Sequence, residues 1–190
     1  MSRAYRVAIR ESQSRTIRAE DHVSTNLDIL GVLPPQDMAD LLADELARRG
    51  FERQGDEMVR QQGPDVSVRV NVKTCTVTVR AEGQEEAQIE VEREGRAFDD
   101  AGPDADEVRA DLKKQARQDI DRKAGEKQSQ LQTRVTDRLE GELNALRQEL
   151  DEVVNRVTAE ALKRKAAQLG QIKEMTEDPQ AGSLTIVVEV

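Results

Sequence analysis

The stretch DADEVRADLKKQARQDIDRKAGEKQSQLQTRVTDRLEGELNALRQELDEVVNRVTAEALKRKAAQL (residues 104–169) decides the fold. It lacks proline and carries on average one charge for every two or three residues. Its 14 basic and 14 acidic side chains, out of 29 and 38 in the whole chain, cancel. The net charge of −9 therefore resides outside it, where 15 basic residues face 24 acidic ones. Asp104 offers a helix N-cap, so the stretch predicts helix throughout. Val108, Leu112, Ala116, Ile120 and Ala124 are four apart, and Leu131, Val135 and Leu139 continue the series. Leu139, Leu143, Leu146, Leu150, Val153 and Val157 then follow a four-three rhythm resembling a heptad, with Leu162 and Leu169 beyond. Spacing by four drifts around a helix, which argues against one uninterrupted coiled coil. An unbroken helix of this length would run ~100 Å. The expectation is an inserted, coiled-coil-like antiparallel helical hairpin over residues 103–169, turning near Gly125 or in Gly141 to Arg147.

Working outward, QIKEMTEDPQAGSLTIVVEV follows Gly170 as a strand, a turn from Asp178-Pro179 to Gly182, and a strand with Leu184, Ile186, Val188 and Val190 on one face. An isolated two-stranded hairpin is marginal in water, so residues 170–190 are expected to complete a sheet formed earlier in the chain. That sheet belongs to residues 1–102. Tyr5, Val7 and Ile9 alternate with Arg6, Ala8 and Arg10, and Ile17 resumes the pattern, which predicts a hairpin or two strands over Arg3 to Arg18. A connector from Asp21 to Leu33 leads to Pro34-Pro35. Met38, Leu41, Leu42 and Leu46 then mark an amphipathic helix stopped by Gly50. Phe51 and Met58 indicate a strand before Arg60. Val66, Val68, Val70 and Val72, then Cys75, Val77 and Val79, form a hairpin with one buried face, and Ile89 and Val91 lie on a further strand with an acidic outer face. The fold class is α+β: a small antiparallel sheet, one packed amphipathic helix, the helical hairpin arm and the closing β-hairpin.

Composition narrows function. The chain has 190 residues, 35% charged, 36% hydrophobic and 2% aromatic, which suits one modest core. No run approaches the ~20 apolar residues that span a bilayer, and the first residues have no apolar signal-peptide middle, so a cytoplasmic protein with no membrane partner is expected. The acidic balance makes nucleic acid an unfavoured partner. With one cysteine and one histidine, an internal disulfide and a multi-cysteine zinc site are excluded.

Single residues carry weaker signals. His22, beside Glu20 and Asp21, offers an acid/base pair or metal ligand, but a lone histidine in a polar connector is ordinarily a surface or capping residue. Cys75, with no histidine near it in sequence, reads as a small hydrophobe at a strand start. Residues 82–106 hold ten acidic side chains against Arg93 and Arg96. They lack the spacing of a calcium loop and read as a solvated strand face, partly neutralised by Arg6, Arg10 and Arg18 on a neighbouring strand. Lys163, Arg164 and Lys165 suit either nucleic acid or the helix C-terminal dipole. The stripe Leu139, Leu143, Leu146, Leu150, Val153 and Val157 is either a self-association seam or the inside of the helical hairpin. With the three basic residues it makes up the candidate interaction surface. No catalytic, cofactor or metal residue is assigned, so no enzyme activity and no cofactor are expected.

NRVTAEALKRKAAQLG with the hairpin ending SLTIVVEV, SRAYRV at the start, the connector EDHVSTNLDILGVLPP and EVEREGRAFDD together resemble one bacterial family. It is the accessory "X" domain family encoded beside FtsH-type AAA+ ATPases and von Willebrand A domain proteins, in FtsH ternary conflict systems. The last helix, Gly170 and the hairpin are also similar to a small family of cyanobacteria and plastids. The first resemblance implies an accessory subunit of an ATP-driven assembly, with AAA+ and von Willebrand A subunits as partners, and supplies no catalytic residue. The functional expectation is a non-enzymatic adaptor that engages partners, or a second copy of itself, through its helical arm. The alternative is a nucleic-acid or nucleotide-binding module using Lys163, Arg164, Lys165 and the basic first strand.

Overall fold

The computed structural model describes residues 4–98, 104–178 and 183–189. The elements are β1 (Ala4–Asn26), α1 (Pro35–Arg48), β2 (Glu52–Gln54), β3 (Glu57–Gln61), β4 (Val66–Asn71), β5 (Thr76–Phe98), α2 (Ala105–Leu169), β6 (Gln171–Asp178) and β7 (Ser183–Glu189). The fold is α+β. A five-stranded antiparallel sheet has the order β1-β5-β4-β3-β2, and β6 and β7 pair as a separate two-stranded sheet. The expected turn over residues 179–182, together with Arg3, Asp99, Asp100 and Val190, lies outside the described residues.

Two strands are far longer than their local patterns suggest. In β5 the period of two runs unbroken: Val77, Val79, Ala81, Ala87, Ile89, Val91 and Ala97 are all buried, and every intervening even-numbered residue faces away. The segment around Gly83 is therefore strand and not a turn, which merges two expected strands into one. β1 is likewise a single strand of 23 residues and absorbs part of the expected connector. Conversely, the strand expected before Arg60 is a tight hairpin of β2 and β3, turning at Gly55 with φ of 67°. α1 is as expected. Pro35 starts it, Met38, Leu41, Leu42 and Leu46 are buried, and the chain leaves through Gly50 at φ of 83° to lay α1 on β2 and β3.

The helical hairpin is corrected to one helix. α2 runs from Ala105 to Leu169, capped by the Asp104 carboxylate, which accepts the N–H groups of Asp106 and Glu107 at 2.9 and 2.8 Å. Its buried residues recur from Ile120 to Leu131, Val135 to Leu146, Leu139 to Leu150, and Leu146 to Val157. Each interval is eleven residues, three turns at ~3.67 residues each, close to the ordinary α-helical period and not the 3.5 of a coiled-coil seam. The fours and threes average to one stripe that stays on one side of a single helix. Gly125, Gly141 and Asn144 sit on its exposed side, and nothing lies within 4 Å of a Cβ built at either glycine. They weaken the helix slightly without ending it.

The chain divides into two compact units: Met1–Glu20 with Glu82–Thr136, and Asp21–Ala81 with Asp137–Val190. In the first, Val7 and Ala97 meet Val108 and Leu112, with Ile9 and Ala105 packed against them. Two strand glycines admit the helix. A Cβ at Gly83 would stand 2.8 Å from Val135 Cγ2 and 3.1 Å from Leu131 Cδ1, and one at Gly95 would stand 2.9 Å from Val108 Cγ1. Charged residues on the same face reach the flanks of α2: Arg93 donates to Asp119 at 2.6 Å, and Arg134 to Glu85 at 2.6 Å. The outer face carries the expected neutralising pairs at Arg6 on Glu94 and Arg10 on Glu90, whereas Arg18 donates to the uncharged Gln84. Part of the β1 edge is covered, because the amides of Gln128 and Gln132 donate to the carbonyls of Arg18 and Glu20.

In the second unit Leu42, Leu46, Met58, Val66, Val68, Val70, Val77 and Val79 form the core with the buried side chains of α2. The expected completion of the five-stranded sheet by residues 170–190 is corrected. Among the described residues β6 and β7 pair with each other as a separate sheet, and none of their described side chains is buried. The large sheet offers them little, since β2 is three residues long and β1 is already in part covered.

The glycines make a prediction of opposite signs. Gly83→Ala and Gly95→Ala should each destabilise the protein by about 1–3 kcal/mol, because stiff valines cannot yield to the added methyl. Gly125→Ala and Gly141→Ala should each stabilise it by about 0.4–1 kcal/mol. Urea unfolding of the four variants is the measurement, and equal effects at strand and helix glycines would refute the close packing of α2 on β5.

Candidate interaction surface

The leucine stripe is not an exposed seam. Leu139, Leu146, Leu150, Val153 and Val157 are each at most 6% exposed within the second unit, and only Leu143 is half-buried. Five of the six stripe residues are thus core residues of this chain, packed on the inner side of one unbroken helix and not inside a helical hairpin. Lys163, Arg164 and Lys165 stand on the more open side of the same helix, Lys163 half-buried and the other two exposed. α2 runs on to Leu169 and has no basic residue in its last turn, so the dipole explanation for the trio fails as well. Arg164 pairs with Glu160 at 3.4 Å.

Two grooves border this segment. The larger, about 550 Å³, lies between the end of β1, the start of β5 and α2, and its apolar wall includes Val23, Leu27, Leu143, Leu146, Leu150 and Val154. Val23 is 41% exposed. Arg147, Asp151 and Asp28 rim it, giving an apolar floor with charges of both signs at its edge. The strand ends beside it are fastened by a hydrogen bond between the Ser24 and Thr78 hydroxyls at 2.9 Å and one that the Thr76 hydroxyl donates to Asn26 Oδ1 at 3.1 Å. The Leu27 amide donates to the Cys75 carbonyl at 2.7 Å. The smaller groove, about 240 Å³, separates α1 from α2 and includes Arg48, Arg156, Lys163 and Arg164 beside Asp44, Glu45 and Glu160.

Between the grooves lies an ion network that sequence reasoning missed. Arg60 grips Glu149 with both guanidinium nitrogens at 2.7 Å and stacks over Phe51, 4.4 Å from the ring centre. Glu45, the one buried charged residue among those described, takes Arg49 at 3.1 Å and Arg48 at 3.4 Å, with Arg156 at 3.7 Å. Arg49 also reaches Glu152 at 3.2 Å. Burial opposes the Arg49 charge, but the hydrogen bonds it donates to Glu45 and Glu152 outweigh that and raise its pKa. The hydrogen bonds of Arg60 hold the Glu149 carboxyl below the usual carboxylate range. No periodicity marks these residues; only the i,i+4 spacing of Glu45 and Arg49 was visible in the sequence.

Cys75 is not the first inward residue of a strand. It closes the β4–β5 turn at φ of 55°, an uncommon conformation for a residue with a Cβ, and burial pushes its thiol up. His22 is exposed on β1, its backbone N–H donating to Asp21 Oδ1 at 2.9 Å. Among the described residues no helix is long and apolar enough to cross a membrane.

The Glu149 pair has a pH signature. A carboxylate whose native pKa is depressed contributes its full stability above the unfolded value and loses it as pH falls through the native one. Arg60→Met should therefore cost about 1–3 kcal/mol at neutral pH. The gap to wild type should narrow once the pH drops below the ordinary glutamate value of about 4.3. Urea unfolding of both proteins at pH 7 and pH 3 tests this, and a gap that widens in acid would refute it.

Comparison with curated proteins and with solved structures gives no match. The family model of FtsH ternary system domain X5 matches residues 1–190, in agreement with the resemblance carried by the connector, the last helix and the final hairpin. The protein is a member of the FtsH ternary system domain X5 family.

Proposed function

We propose that this chain is a non-enzymatic accessory subunit of an ATP-driven assembly, with AAA+ ATPase and von Willebrand A domain proteins as its partners. Membership of an FtsH ternary system family supports a component role. The observation that carries the docking part of the reading is the 550 Å³ groove with Val23 exposed and Leu143 half-buried at its mouth. An apolar floor rimmed by Arg147, Asp28 and Asp151 suits a helix or extended segment of a protein partner, with the rim charges selecting orientation. This moves the docking role of α2 from its buried leucine stripe to Leu143 and the side chains beside it.

Co-expression with an AAA+ ATPase and a von Willebrand A domain protein of an FtsH ternary system should give a complex that purifies together. Leu143→Glu should weaken that complex by about tenfold or more, equivalent to ~1.4 kcal/mol, with the circular dichroism spectrum unchanged. Lys163→Glu with Arg164→Glu distinguishes the nucleic-acid reading. If the wild type binds labelled oligonucleotides with strong salt dependence and this variant does not, the adaptor reading gives way to that one.

A further inference from the structure

The edges of the five-stranded sheet are managed in ways that discourage pairing with another chain. β2 is only three residues long and carries Glu52 and Arg53, while β1 is in part covered by Gln128 and Gln132. The small sheet differs. Its β6 strand bears Lys173, Glu174, Glu177 and Asp178, whereas β7 is uncharged from Ser183 to Val188, with no proline or glycine and with Ile186, Val187 and Val188 in succession. Such a segment has high strand propensity, and nothing along it repels another strand.

The hairpin also has an unburied apolar face. Ile172 pairs with Val188 and Met175 with Ile186, so these four side chains and Leu184 share one side of the two-stranded sheet. Met175 is 49% exposed, and on the other side Val187 is 44% exposed. A two-stranded sheet with this face open is marginal in water, yet the hairpin is held in place at its base. A Cβ at Gly170 would collide with the Glu189 carbonyl, and Lys173 meets Glu189 at 2.7 Å.

We propose that β7 pairs with β7 of a second copy of this chain, antiparallel about a two-fold axis at Ile186, to make a four-stranded sheet. The charge pattern selects this occupant and this edge. Pairing β6 with β6 would set side by side two strands that each carry one basic and three acidic residues, whereas pairing β7 with β7 brings no two charges opposite one another, Glu189 falling opposite Ser183. A two-fold axis normal to the sheet sets Leu184 opposite Val188 and Ile186 opposite itself. It also places both apolar faces on the same side. The charged β6 strands become the outer edges, about 14 Å apart at three strand spacings, where salt screens their repulsion.

Sedimentation equilibrium from micromolar to submillimolar concentration tests the proposal. The wild type should move from its 21.2 kDa monomer to a dimer, and Ile186→Lys should raise the dissociation constant by about tenfold or more. Cross-linking separates this geometry from others. In a Cys75→Ser background, Ile186→Cys should give a disulfide-linked dimer on oxidation, whereas Met175→Cys, on the same face one strand away, should not. A wild type that stays monomeric, a dimer indifferent to Ile186→Lys, equal linking by both cysteines, or open-ended oligomers would each overturn it.

Discussion

The close approach of α2 to the inward face of β5 is the constraint on which the rest of this structure depends. In the first unit the strand from Glu82 to Phe98 leaves an apolar strip to cover, and the helix from Ala105 to Thr136 covers it. The approach works only because the strand yields space where the helix comes nearest, at Gly83 and Gly95, and because Ala81, Ala87 and Ala97 keep the intervening face low. Where the strand cannot be small it is charged, and those charges reach α2 from the side: Arg93 to Asp119 and Glu85 to Arg134. This interlock explains why α2 is charge-balanced although the chain as a whole carries −9, since basic helix residues answer acidic strand residues and acidic helix residues answer basic ones.

The same interlock sets which surfaces remain for partners. Once Leu139, Leu146, Leu150, Val153 and Val157 are committed to the core, the apolar residues that the helix still offers include Leu143, Val154 and Leu169, beside its outward polar residues and the basic trio near its end. The surfaces on which the proposed accessory role can draw are ones that periodicity does not show: the groove beside Val23 and the hairpin that follows Gly170. In the ion network of Arg60, Glu149, Arg49 and Glu45 every charged group has a partner, which suits a device that fixes α1, β3 and α2 in register.

Local chemistry by itself determined the elements whose signals are short and strong. Pro35 and Gly50 bound α1, Asp104 caps α2, the alternating valines make β4 and the start of β5, and Arg6 and Arg10 answer the acidic face through Glu94 and Glu90. In each case the deciding partners are within a few residues, or the period of two leaves a single option for the face. Only the tertiary structure decided whether α2 doubles back, whether β5 breaks at Gly83 and where the last hairpin pairs. Gly125 and Gly141 each cost a helix only about 1 kcal/mol, less than the surface beneath the stripe contributes, so a helix that looks breakable in sequence stays whole once it has a strand to lie on. The continuity of β5 through Gly83 is hidden for a similar reason: Gly83 makes room for Val135, a residue about fifty positions away, and no local pattern records a contact at that distance.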